Sequence, residues 1–320
     1  MDTVRGVKIA IVLFNLGGPD SLEAVQPFLR NLFSDPAIIR LPTPIRVPLA
    51  RFIAGRRAPK AREIYGRIGG ASPILGQTEA QARALEGALE QALGREHDWR
   101  GFVCMRYWHP MTDAVVRSVA RFAPDRIVLL PLYPQFSTTT TASSLKLWTE
   151  RAKFEVPTRT IESYPVEPGF IAASVELVKQ GLSDAGQGPR RVLFSAHGLP
   201  ERIVKAGDPY QKQVEQTAAA IASAFDGLDW AICYQSRVGP LKWIGPSTEE
   251  AIARAGADRV AAVVYPLSFV SEHSETLVEL DIDYRRLASQ KGVPTYVRVP
   301  AVGTHPLFIE GLARLVRDAL

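Results

Sequence analysis

FSAHGLPE (194–201) decides the fold, because FNLGGPD (14–20) repeats its plan of an apolar run ending in phenylalanine, a polar residue and then glycine and proline. Two further pairs extend the likeness along the chain. YWHP (107–110) answers YQSRVGP (234–240), and YPQFS (133–137) answers YPLSFVS (265–271). Each of these pieces follows a short apolar, β-branched run, at 7–14, 101–107, 126–132, 191–195, 230–234, 259–265 and 295–299. Amphipathic stretches with helical spacing lie between them, at 79–92, 145–153, 170–185, 211–225, 249–255, 272–287 and 306–320. Strand and helix in alternation predict an α/β protein, and strands apolar on both faces predict parallel sheets covered by helices on each side. The repeated strand ends predict two similar doubly wound domains.

The halves differ in one place. Tyr107 lies 93 positions after Phe14, whereas Tyr234 lies 40 after Phe194. The first half therefore carries an insertion of about fifty residues within 35–94, against ordinary βα loops of ~2–6 residues. Its front part, LPTPIRVPLARFIAGRRAPK (41–60), is rich in proline, apolar residues and arginine. Two readings stand: a helical insertion, or an amphipathic lip that covers a ligand and touches membrane.

Composition sets the bounds. The 320 residues are 46% apolar and 22% charged, enough for a full core without disulfide or metal staples, which excludes disorder and small stapled scaffolds. The net charge of +5 suits carboxylates, phosphates or an anionic surface but is too small to argue for nucleic acid. Cys104 and Cys233 stand alone without metal-site spacing, so they read as buried thiols of a cytosolic protein. The apolar run after Asp2, Arg5 and Lys8 breaks at Asn15 and no small-residue cleavage site follows, so it reads as a first strand. No apolar run approaches the ~18 residues of a membrane span, so any membrane contact is peripheral.

Ligands of open α/β sheets sit beyond the carboxyl ends of strands. That rule selects Asn15, Arg106, Tyr107, Ser137, His197, Arg237 and the block 268–279. A nucleotide is disfavoured, since the Gly17-Gly18-Pro19 turn lacks both a third glycine and a phosphate-gripping lysine. His197 has two readings, a hydrogen-bonded histidine at a strand end or a near-neutral base and metal ligand. Beyond Ser271 come Glu272, His273, Glu275, Glu279 and Asp283. Glu275, Glu279 and Asp283 at i, i+4 and i+8 would stack on one helical face, where like charges repel unless a cation or protons fill the row. Favourable interaction with the helix dipole accounts for the first turn but not for Glu279 or Asp283. His197 with Glu275 would make an open N,O site for Fe²⁺ or a similar divalent ion, suited to handing a metal on.

At FNLGGPD, FSAHGLPERIVKAGDPY (194–210), QSRVGPLKWIGPSTEE (235–250) and FVSEHSETLVELDIDY (269–284) the chain resembles the ferrochelatases, which insert Fe²⁺ into protoporphyrin IX in the last step of haem synthesis. The resemblance runs almost the full length. It implies that His197 and Glu275 are catalytic, that His197, Glu275 and Glu279 meet the metal, and that a distorted porphyrin lies in a cleft between the two domains. It further implies porphyrin contacts by Arg106 and Tyr107, and propionate and lip contacts by Arg57, Tyr65 and Ser72 within RRAPKAREIYGRIGGASP (56–73). Trp243 and Phe269 become pocket residues, although both read equally as core aromatics. Arg57 reads equally as a solvated charge in a basic run.

The expected domains are 1–150 with the lip at about 35–75, then 151–302, then a C-terminal helix at 303–320 packing back on the first domain. Iron is expected as substrate, with no tightly bound cofactor. Leu16 stands where animal ferrochelatases have methionine, and the C-terminal cysteine cluster of some members has no counterpart here, so no [2Fe–2S] centre is expected. The expected partners are protoporphyrin IX, Fe²⁺ and, through the lip, the cytoplasmic face of the inner membrane. The rivals are a chelatase for coproporphyrin III, one for Co²⁺ and an early tetrapyrrole, and a non-catalytic tetrapyrrole carrier.

Overall fold

Strand β1, Lys8–Asn15, has no polar face: Ile9 to Phe14 are each at most 3% exposed, because the strand is hydrogen-bonded on both edges and covered on both sides. The structure, a computed structural model, describes residues 6–94, 97–237 and 241–320. They form two compact units.

The first unit comprises the described residues up to Tyr133, then Ser137–Ser163 and Ile309–Leu320. Its parallel sheet has the order β2-β1-β3-β4, with β2 at Asp98–Met105, β3 at Arg126–Pro131 and β4 at Thr158–Thr160. Helices α1 (Val25–Phe33), α2 (Thr43–Gly66) and α3 (Ile74–Leu93) connect β1 to β2. Helix α4 (Thr112–Phe122) leads to β3, and α5 (Thr141–Arg151) leads to β4.

The second unit, Pro134–Phe136 and Tyr164–Phe308, repeats the design. Its parallel sheet has the order β6-β5-β7-β8, with β5 at Arg190–His197, β6 at Asp229–Gln235, β7 at Ala261–Pro266 and β8 at Tyr296–Arg298. Its helices are α6 (Pro168–Asp184), α7 (Glu201–Lys205), α8 (Tyr210–Ala222), α9 (Thr248–Ala257), a π-helix at Glu275–Asp283, and α10 (Tyr284–Gln290). Helix α9 starts on a capping box, with Ser247 and Glu250 each satisfying the other's backbone N–H. Helix α11 (Pro306–Ala319) follows, and from Ile309 onward it belongs to the first unit, where Arg126 Nη1 donates to Leu320 O at 2.9 Å.

The strand-end echoes fall around the ends of β1 and β5, β2 and β6, and β3 and β7, but Tyr107 and Tyr133 lie two residues past β2 and β3 whereas Tyr234 and Tyr265 are still inside β6 and β7. Val238 to Pro240 of YQSRVGP, and Asp2 and Arg5 of the N-terminal reading, lie outside the described residues. Three helices, α1 to α3, join β1 to β2, against the shorter α7 and α8 between β5 and β6, and within 35–94 the first half carries α2 and α3. The proline-rich stretch 41–60 lies largely in α2, a 24-residue helix that contains Pro48 and Pro59 and leaves Ile45 57% and Phe52 67% exposed. Among the described residues no helix is long and apolar enough to cross a membrane.

The stretch 272–287 departs from expectation. A π-helix occupies Glu275–Asp283, and α-helix begins at Tyr284. The π turn is wider than an α turn and is closed by i→i+5 bonds. Asp283 pairs with Arg286 at 3.5 Å.

Beyond α1 the chain turns at Asp35, whose side chain is 2% exposed. Its Oδ2 accepts hydrogen bonds from Arg106 Nη2 and Tyr107 Oη, both at 2.7 Å, and from Ser143 Oγ, while Oδ1 accepts from Ala37 N at 2.8 Å. One carboxylate thus joins the start of the insertion to the residues beyond β2 and to α5. Replacing Asp35 by Ala strands the Arg106 guanidinium in a buried setting. A loss of about 3–5 kcal/mol is expected, read as a lower urea midpoint at unchanged slope; an unmoved midpoint would contradict a structural role for this hub.

Candidate active site

Parallel pairing brings the carboxyl ends of the strands to one edge of each sheet. In the second unit β5 ends at His197, in register with Gln235 at the end of β6. The next residue is a glycine, and a side chain there would be crowded. A Cβ on Gly198 would lie 3.0 Å from the Gln235 carbonyl and 3.2 Å from the Trp243 ring. This close approach, with Gly198 N donating to Gln235 O at 2.9 Å, carries the chain across the end of β6 and leaves His197 at the corner.

The π-helix supplies the opposing group. His197 Nδ1 lies 2.8 Å from Glu275 Oε2. The same oxygen accepts from Ser236 Oγ at 2.9 Å and, at the long distance of 3.4 Å, from Gln235 Nε2. Ser195 donates to Gln235 Oε1 at 2.7 Å and so turns the amide NH₂ toward Glu275. Glu279 Oε1 accepts from Ser236 N and Tyr284 Oη, each at 2.9 Å, and Glu279 Oε2 is hydrogen-bonded to Ser236 Oγ. Tyr284 Oη also lies 3.0 Å from Glu249 Oε1, on an exposed residue. His273 Nε2 approaches Glu275 Oε1 at 3.9 Å.

These contacts set the charges. Burial opposes an imidazolium at His197, but the Glu275 carboxylate, by charge and hydrogen bond, together with Glu279, lifts its pKa above the usual 6.5. Burial would likewise raise Glu275, yet His197, His273 and Ser236 hold it below the usual 4.5. Glu279 moves upward, because burial and the neighbouring Glu275 charge outweigh the bonds from Ser236 and Tyr284. A hydroxyl donates once, so a proton on Glu279 completes the two bonds at Ser236 Oγ.

Of the expected metal residues, His197, Glu275 and Glu279 are brought together, but not as a closed cage. Among the described residues no three or more His, Cys, Asp or Glu are arranged to hold a metal ion. His197 and Glu275 face each other through Nδ1, which leaves Nε2 as the free ring nitrogen on a side chain 39% exposed.

Phe269 and Trp243 are half-buried. Phe269 lies against His273 with ring centroids 4.6 Å apart, and Trp243 packs on Gly198. In the first unit, Arg57 is exposed and rests over the Phe33 ring at 5.4 Å. Ser72 packs on Gly18 and its N donates to Pro19 O at 2.8 Å. Arg106 has Nε on Ser143 and Nη2 on Asp35. Tyr65 and Tyr107, expected to contact porphyrin, are 7% and 1% exposed and belong to the unit's core, where the Tyr107 hydroxyl is bonded to Asp35. Sequence reading missed Ser236, Gln235, Tyr284, Glu249 and Asp35. Gln235, Ser236, Glu249 and Tyr284 lie inside the quoted motifs, but nothing in their residue types marks them as parts of this network.

Two parallel sheets of one strand order, with an imidazole–carboxylate pair at the strand ends of the second, define a class of two-unit α/β proteins. The fold is shared with CbiX, described as the terminal enzyme of sirohaem biosynthesis in denitrifying bacteria, at a TM-score of 0.52 and 18% identity over 98% of this chain and 99% of that one. The ferrochelatase family model matches residues 8–320. The ferrochelatase of Caulobacter vibrioides is 55% identical over 98% of this chain and 90% of its own length, and that of Phenylobacterium zucineum 52% identical over 98% and 92%. The chain belongs to the ferrochelatase family.

The His197–Glu275 pair has a defined pH window. Its contribution through His197 is complete below pH 6.5 and fades as pH rises through the raised folded value. Its contribution through Glu275 is complete above pH 4.5 and fades as pH falls through the depressed one. The melting temperature of wild type should therefore exceed that of Glu275→Gln most between about pH 5 and 6.5, with the gap narrowing toward pH 9. A gap that widens toward pH 9 would contradict the assigned charges.

Proposed function

We propose that this protein inserts Fe²⁺ into protoporphyrin IX, giving protohaem and two protons, the closing step of haem synthesis. The observation that carries the reading is the His197–Glu275 pair at the strand ends of the second sheet in a member of the ferrochelatase family. The bonds formed, between metal and nitrogen, make the enzyme a lyase.

The free-base porphyrin holds two N–H groups inside its ring, where lone pairs are poorly placed for an incoming ion. Distorting the macrocycle exposes them and lowers the barrier. The protons then need a base near neutral pKa. His197 in its neutral form offers Nε2, and once protonated it is stabilised by Glu275 at Nδ1. Glu275 and Glu279 supply hard oxygen donors that seat Fe²⁺ on its way to the ring. From Glu279 a string of hydrogen bonds runs through Tyr284 Oη to the exposed Glu249, a route for charge to reach solvent.

In this reading Trp243 and Phe269 line the substrate site, and Arg57, Ser72 and Arg106 engage its carboxylates and edges. Tyr65 and Tyr107 support that surface from beneath, Tyr107 through its bond to Asp35. The reading has no tightly bound cofactor and no iron–sulfur centre. It assigns no role to Cys104 or Cys233, thiols that burial pushes up to about 12. Helix α2 presents Ile45 and Phe52 with the exposed Arg51 and Arg56, an apolar and basic face suited to peripheral contact of a cytoplasmic enzyme with the anionic inner membrane. Protoporphyrin, with two propionates, matches the apolar lip better than coproporphyrin III, whose four would call for more cationic partners.

Oxygen-free incubation with protoporphyrin IX and Fe²⁺ should convert the free-base spectrum to that of haem over many turnovers. His197→Ala should still bind porphyrin but lose metalation. Binding without turnover by wild type would indicate a carrier, and retained turnover by His197→Ala would remove the base from its role.

A further inference from the structure

Ser236 is the residue after β6, and its backbone adopts the left-handed conformation, with φ at +61°. A side chain disfavours that region, and glycine would adopt it freely. The conformation turns two donors of one residue toward the π-helix. The backbone N–H of Ser236 reaches Glu279 Oε1 at 2.9 Å, and its hydroxyl reaches both Glu275 Oε2, at 2.9 Å, and Glu279 Oε2. Both glutamate side chains are thereby drawn to a single point. Glycine would keep the amide bond and relieve the backbone but would lose the hydroxyl.

We infer that Ser236 is a positioning residue for the incoming divalent cation: it clamps Glu275 and Glu279 together so that the cation meets a preformed pair of carboxylates. The hydroxyl acts through the two glutamates and does not itself bind substrate. The inference rests on the reading that these carboxylates receive Fe²⁺. Groups that orient metal-binding side chains commonly matter by about 10–100-fold in metal affinity or activity.

The variants Ser236→Ala and Ser236→Gly separate hydroxyl from backbone, the first keeping the strained φ and the second relieving it. Both should raise the KM for Fe²⁺ by about tenfold or more, with the porphyrin KM unchanged. Calorimetric titration of Co²⁺ into the porphyrin-free protein should show a matching loss of affinity in Ser236→Gly. Should Ser236→Gly bind Co²⁺ and turn over within about twofold of wild type, far below the span expected for such a group, the clamp is refuted. An equal rise in porphyrin KM would mark general disorder and refute it too. Failure of wild type to metalate porphyrin would overturn the proposed function instead, while the Co²⁺ affinities would still decide the role of Ser236.

Discussion

The hydrogen bond between His197 Nδ1 and Glu275 Oε2 joins groups 78 residues apart, and the rest of the site is arranged around it. It ties the end of a buried strand to a helix that follows a different strand. It also decides which ring nitrogen is engaged, because the bond to Glu275 takes Nδ1 and leaves Nε2 open. The supports are steric as well as polar. Gly198 lets the chain cross Gln235 closely enough to hold His197 at the strand end, and Ser195 orients the Gln235 amide toward Glu275. Removing any of them loosens the angle at which imidazole and carboxylate meet before it removes either group.

Two sheets of one strand order have been put to different uses. The residue ending β1 is Asn15, 5% exposed and fully engaged, its Nδ2 on Thr78 Oγ1 at 3.0 Å and its Oδ1 accepting from Leu16 N at 2.8 Å. The residue ending β5 is His197, with an open ring nitrogen. Beyond β2 the chain invests in a buried ion pair, Arg106 with Asp35, that fixes the base of the long insertion. Beyond β6 it presents Ser236 to two carboxylates. The first half thus uses its strand ends to hold structure, the second to hold charge.

Much of this was legible in the sequence. Central strands such as β1 are buried on both faces and therefore read as unbroken apolar runs, and the paired strand ends disclosed the duplication. His197 and Glu275 stand out by residue type as donors of an open N,O site, and the family resemblance names both, but nothing local says that they meet. Other features left no trace for physical reasons. Strand β4 is three exposed residues paired along one edge, too short for a period. Helix α2 hides behind two internal prolines that ordinarily argue against a helix. The π-helix and the α-helix cannot be told apart by pattern over nine residues. Ser236 matters through its backbone angle, which a serine does not advertise.

Arginine is distributed unevenly around the acidic segment. Arg298 is held by Glu272 and lies 3.4 Å from Asp281, Arg285 bonds Asp281 at 2.6 Å, and Arg286 approaches Asp283 at 3.5 Å. The neighbouring acids therefore face permanent cations. Glu275 and Glu279 face His197, His273, Ser236 and Tyr284 instead, groups whose charge is reversible or nil. An arginine at that position would neutralise the carboxylates for good and would have to be displaced by any metal. Histidine neutralises Glu275 only while it holds a proton. Under the proposed function, such reversible neutralisation would let metal and proton alternate at one place, as an exchange of Fe²⁺ for two protons requires.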